Sequence, residues 1–238
     1  MRTLLRLLLL PLIAVAAAAQ SGANRADATW RQFETEHFTF IFHEELRGIA
    51  QRAADIAEAI YPVVTGNLNT QILGRTPIYI SDLENVRNAF AFSDHHIYLW
   101  MQGIQDDGPV GGLRASGSAK WLRAVITHEF THTVIAHATR SWSDLFIPTS
   151  GVPRWFNEGT ARFMEPDRWT PDIDMVLRLA AVNGRTSYSA FNARLDGALL
   201  YEGGHSLVRY MTWRFGDTIL SRIVAGGRSG LSSYDFNL

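Results

Sequence analysis

The chain has no cysteine. That excludes disulfides, thiolate metal sites and a thiol nucleophile, and it removes the residue that lipid attachment after a leader would need. Basic clusters are also missing. Lys and Arg number 22 against 23 Asp and Glu, the formal net charge is −1, and no run of Lys or Arg follows the N-terminus. A nucleic-acid partner is therefore not expected, because phosphate contacts need grouped basic side chains. No internal repeat and no low-complexity linker interrupts the sequence. One apolar run, residues 7–19, stands out, but it falls short of the roughly 20 residues of a membrane span and is broken by Pro11. Arg2 and Arg6 precede it, Ala17, Ala18 and Ala19 close it, and no acid occurs before Asp27. This reads as a secretory leader cut after Ala19. The expected product is exported, periplasmic or extracellular, with no stable membrane anchor after cleavage.

What is present is apolar and periodic. A chain of 238 residues with 47% hydrophobic content can bury one sizeable core. Phe38, Phe40 and Phe42 alternate and predict a strand over 37–42. Leu46, Ile49, Ala50, Ala53, Ile56, Ala57 and Ile60 recur at helical spacing, and Pro62 is expected to end that helix. Further strand material lies at 76–80, 89–92 and 96–100. A Gly-rich stretch at 108–118 then separates this third from a helical remainder. Ser118 is the expected N-cap of a helix reaching about Arg140. After a loop over 144–153, Pro153 should be the first residue of a second helix that stops before Pro166. A third helix covers 172–182, and a fourth covers 197–216, closed by Gly216. The predicted class is α+β: a small N-terminal mixed sheet with one helix, then a mostly helical part, with the site in the cleft between them. The chain stops at 232–238 without a closing element, as a piece of a longer protein would.

Residues 128–132 read H-E-F-T-H. Positions four apart on a helix differ by about 40° around the axis and about 6 Å along it, so His128 and His132 can aim at one point. Neutral imidazoles suit Zn²⁺, and a catalytic zinc takes three protein ligands with a fourth position open to water. Glu129 is then placed to accept a proton from the attacking water. The third ligand has three candidates: His137, Glu158 and Glu165. A metzincin would put a histidine at 138 and a glycine at 135, where this chain has Ala138 and Ile135, so His137 is a surface or structural residue. Glu165 lies seven positions after Glu158; it either holds a ligand histidine in place or is an exposed carboxylate at a helix end.

Residues 155–161, W-F-N-E-G-T-A, resemble the W-x-x-E-G-x-A box of gluzincin peptidases, the clan of thermolysin and the one-zinc aminopeptidases. Residues 201–204, Y-E-G-G, are similar to the Y-x-x-G of the aminopeptidases. The order of elements over 30–226 resembles the peptidase MA-like metallohydrolases, with 227–238 left as a tail. The resemblance implies one Zn²⁺ held by His128, His132 and Glu158, with Glu129 as general base. It also implies that Tyr201 donates a hydrogen bond to the tetrahedral oxyanion, a task His205 could share. His95 and His96 sit just before the zinc helix, where they could face an extended substrate. The aminopeptidases' G-x-M-E-N loop is absent, so exopeptidase action is not implied. The expected function is a secreted zinc metallopeptidase acting on a peptide or protein substrate. The other reading is a zinc-stabilised envelope or interaction module with little turnover, against which Glu129 argues, since zinc binding does not require it.

Overall fold

The structure is a computed structural model that describes residues 28–82, 87–91, 95–101, 118–139, 152–166, 169–187, 197 and 199–227. The leader-like segment, most of the Gly-rich stretch, most of the loop before Pro153 and all but the first residue of the tail lie outside these residues.

Five strands form one mixed sheet: β1 (Trp30–Glu34), β2 (Phe38–His43), β3 (Thr76–Ser81), β4 (Arg87–Ala91) and β5 (Ile97–Met101), in the order β1-β2-β3-β5-β4. The central pairs β2–β3 and β3–β5 are parallel, while β1 and β4 add at the edges antiparallel. Parallel neighbours need a crossover. Between β2 and β3 that crossover is helix α1 (Arg47–Leu68). Alternation decides the faces: Phe38, Phe40, Phe42, Ile78, Ile80, Ile97 and Leu99 are wholly buried, and the residues between them are half-buried. Strand β1 carries no such alternation, since four of its five residues are exposed. It is held by pairing to one neighbour alone, and hydrophobic periodicity did not predict it.

Helix α1 continues six residues past Pro62, contrary to the expectation that the proline ends it. Pro62 lies on the exposed side, where a carbonyl deprived of its N–H partner can be hydrated. The core side runs on through Ala57, Ile60, Val64 and Leu68, all buried. Asn69, in the left-handed conformation at φ 46°, closes the helix instead.

The rest is helical: α2 (Ser118–Thr139), α3 (Arg154–Met164), α4 (Pro171–Val182), α5 (Gly204–Phe215) and α6 (Ile219–Gly227), with a π-helical turn at Leu199–Gly203 leading into α5. Ser118 is the first helical residue rather than the cap, and Pro153 is the N-cap of α3 rather than its first residue, differences of one position. Among the described residues no helix is long and apolar enough to cross a membrane. Helix α6 was not expected, although Leu220, Ile223 and Val224 supply the helical spacing and are buried against α1 and α2.

Helix α2 is enclosed on nearly every side. From Trp121 to Thr139 only Arg123 is exposed. Its threonines survive burial by bonding their own backbone: Thr127 Oγ1 donates to Arg123 O at 2.7 Å, Thr131 to Thr127 O at 2.7 Å, Thr133 to Glu129 O at 3.2 Å and Thr139 to Ile135 O at 2.9 Å. No buried hydroxyl among these is left without a partner, so the desolvation cost of about 1–3 kcal/mol each is avoided.

Helices α3 and α5 meet backbone to backbone. A methyl carbon on Gly159 would overlap the Gly204 carbonyl and stand 2.8 Å from its Cα, and one on Gly204 would overlap the Trp155 carbonyl. Main-chain atoms cannot yield to such an intrusion. Gly159→Ala should therefore cost at least the roughly 1–3 kcal/mol of an overpacked core and push the two helices apart. Gly48→Ala in α1 meets nothing within 4 Å and should be neutral or gain up to about 1 kcal/mol. Urea melts of the two variants check this; equal stabilities would refute the close contact.

Candidate metal centre

The helix spacing delivers what it promised. His128 and His132 point their Nε2 atoms at each other, 3.1 Å apart. Glu158, on the second turn of α3, brings Oε2 to 3.4 Å from His128 Nε2 and 3.3 Å from His132 Nε2. A tetrahedral ion with bonds of about 2.0–2.1 Å separates its ligand atoms by roughly 3.3 Å. The three donors thus already sit at the edge length of a four-coordinate site. Glu158 Oε2 is buried without a standard hydrogen bond. Among the described residues this is the one group of three or more His, Cys, Asp or Glu side chains close enough to hold a metal ion.

Each histidine is fixed from behind. His128 Nδ1 lies 2.7 Å from Glu165 Oε1, and His132 Nδ1 lies 3.1 Å from Asn157 Oδ1. Both acceptors favour an Nδ1 proton, which leaves the Nε2 lone pair facing the cluster. Glu165 forms the C-cap of α3 and is buried, so the exposed alternative for it is overturned. Asn157 was not singled out in the sequence, although it precedes Glu158 inside the W-x-x-E-G-x-A box.

Burial works against the imidazolium of His128, but the neighbouring carboxylates of Glu158 and Glu165 outweigh it and raise its pKa from 6.5 to about 10. Burial likewise works against the Glu158 carboxylate, and the imidazoles of His128 and His132 beside it overcome this, holding the group well below the usual carboxylate range. The cluster thus favours a positive charge among its donors.

The remaining predicted residues divide. Glu129 follows His128 on α2 and is buried, and its charge acts on both His128 and Tyr201. Tyr201 sits in the π turn with its ring 5.9 Å from that of His128, where the charges of Glu158 and Glu129 act on it. Burial first, then the charges of Glu158 and Glu129, push its phenol up to about 12, so it stays a donor. His205 is 1% exposed, its Nδ1 is 4.0 Å from Glu202 Oε2, and the rings of Phe163 and Trp169 stand at 6.2 and 5.3 Å. His95 stands 5.5 Å from His137, which is about 13 Å along α2 from His128. His96 packs against Tyr79 at 5.7 Å, on the sheet face opposite the buried one. Neither His95, His96 nor His137 joins the metal group.

No family model matches the chain, and no curated protein matches it.

Two substitutions separate the ligand from its support. Glu158→Ala should abolish retention of a divalent metal after dialysis, and Glu165→Ala should weaken it about 10–100-fold. His137→Ala should leave it unchanged. Elemental analysis of the three variants reads this directly; full metal content in Glu158→Ala would remove that residue from the ligand set.

Proposed function

We propose that this protein is an exported, gluzincin-like zinc peptidase that hydrolyses peptide bonds. The observation that carries the reading is the donor triangle of His128, His132 and Glu158, with a non-ligand carboxylate, Glu129, and a protonated phenol, Tyr201, beside it. Two imidazoles and one carboxylate are a zinc donor set, and a purely structural site would be expected to close with a fourth protein ligand. When bound, Zn²⁺ supplies a Lewis acid that polarises the scissile carbonyl and acidifies water.

The side chains then divide the proton traffic. Glu129 accepts a proton as the water oxygen bonds to the carbonyl carbon. It passes that proton to the amide nitrogen as the C–N bond breaks, and the water's second proton follows to the amine, leaving a carboxylate and an ammonium. Tyr201, kept protonated by its surroundings, offers its hydroxyl to the oxygen that gains charge. Digestion of a peptide library, read by mass spectrometry, tests the whole reading. Cleavage should vanish with chelator and return with Zn²⁺. Zinc-loaded protein that cleaves nothing would point to the zinc-stabilised module instead.

Glu129→Gln keeps the shape of the side chain and leaves the ligands in place. Zinc content should persist while turnover falls by at least about 10²–10⁴-fold. Wild-type rates in that variant would contradict the assignment.

Tyr201→Phe removes a single hydroxyl. If the hydroxyl serves the oxyanion alone, kcat should fall about 10²–10³-fold with little change in KM. A packing tyrosine predicts normal kinetics and a small drop in melting temperature, so both are measured on one preparation.

A further inference from the structure

Behind the ligand group runs a second line of enclosed charges. Glu165 uses Oε1 to accept from His128 Nδ1 at 2.7 Å and Oε2 to accept from Arg162 Nη1. Arg162 Nη2 donates to Glu202 Oε1 at 2.8 Å. Glu202 is buried in the π turn and is the immediate neighbour of Tyr201. The guanidinium is itself largely out of water, with its side chain 11% exposed. One side chain of α3 therefore touches both the carboxylate that orients a histidine and the turn that carries the phenol.

We propose that Arg162 is a positioning residue that sets metal affinity and the placement of Tyr201 together. The second half of this rests on the peptidase reading. The chemistry requires arginine. Its planar fork presents parallel donors to two carboxylates at fixed separation, whereas a lysine ammonium is a point charge that cannot hold both in one geometry. Without it, Glu165 and Glu202 become two enclosed like charges with no cation between them, and repulsion drives them apart. Glu165 then turns away from His128, whose ring loses its anchor. Glu202 draws the π turn with it, and Tyr201 moves off the position it now holds beside His128. Phe163 and Trp169 pack on His205, whose Nδ1 lies 4.0 Å from Glu202 Oε2, so the turn has a second wall beside Arg162.

The test uses Arg162→Met, Arg162→Lys, Glu202→Gln and the double variant Arg162→Met with Tyr201→Phe. Zn²⁺ affinity is measured by competition with a chromophoric chelator, and kcat and KM on a peptide at saturating Zn²⁺. Arg162→Met should bind Zn²⁺ about 10–100-fold more weakly, the range seen when a ligand histidine loses its support. Glu202→Gln should leave affinity closer to wild type yet lower kcat with little change in KM. In the double variant, Tyr201→Phe should add little to the loss already caused by Arg162→Met, since the hydroxyl is already displaced. Arg162→Lys should restore the melting temperature more fully than the affinity. Unchanged Zn²⁺ affinity in Arg162→Met overturns the proposal, as does a full Tyr201→Phe loss on top of it. Should Arg162→Met not fold, Arg162→Lys decides by the same affinity reading. Wild-type protein that binds Zn²⁺ and cleaves no peptide overturns the peptidase reading alone, because the affinity comparison needs no turnover.

Discussion

Glu129, Glu158, Glu165 and Glu202 bring four carboxylates into one enclosed region, and Arg162 is the guanidinium bonded among them. Taking a carboxylate out of water without a partner costs several kcal/mol. The imbalance cannot be met by hydrogen bonds alone. Protonation of His128 makes up part of it. A divalent ion at the donor triangle would make up more, and would release that proton. The rest of the helical part can be read as a frame for holding these charges together. Threonines that bond their own helix let α2 be buried while carrying His128, Glu129 and His132, and the glycine contact sets α3 and α5 close enough for Arg162 to reach Glu202.

How much of this was legible depends on whether a feature has a period. Strand alternation at Phe38, Phe40 and Phe42 and the four-residue spacing of His128 and His132 are periodic, and both appear in the structure as expected. Edge strand β1 has one neighbour and no buried face, so its sequence carries no pattern. Pro62 misled because a local rule about missing N–H groups was applied without knowing which side faced water. Helix α6 was legible at Leu220, Ile223 and Val224 and was passed over.

The site shows the same divide. The W-x-x-E-G-x-A box named Glu158, and its glycine turns out to have a steric reason that spacing could not reveal. For Glu165, sequence left two roles open, and only the 37-residue separation from His128, closed by the fold, decides its contact. Arg162 and Glu202 are 40 positions apart and pair through packing alone, so no motif announces them. His95 and His96 come just before β5: one lies beside His137, the other against Tyr79 on the half-buried face of the sheet.

The contact between Gly159 and Gly204 has a mechanical meaning as well. Side chains at an interface can change rotamer and absorb a shift, but two backbones in contact transmit it whole. Helix α3, with Glu158, and the turn bearing Tyr201 must therefore travel as one rigid piece, stitched a second time by Arg162. A motion that parted this piece from α2 would lengthen the carboxylate-to-imidazole distances and break the contacts of Glu165 and Asn157 to His128 and His132. Opening and loosening of the grip on a metal would then be one and the same coordinate.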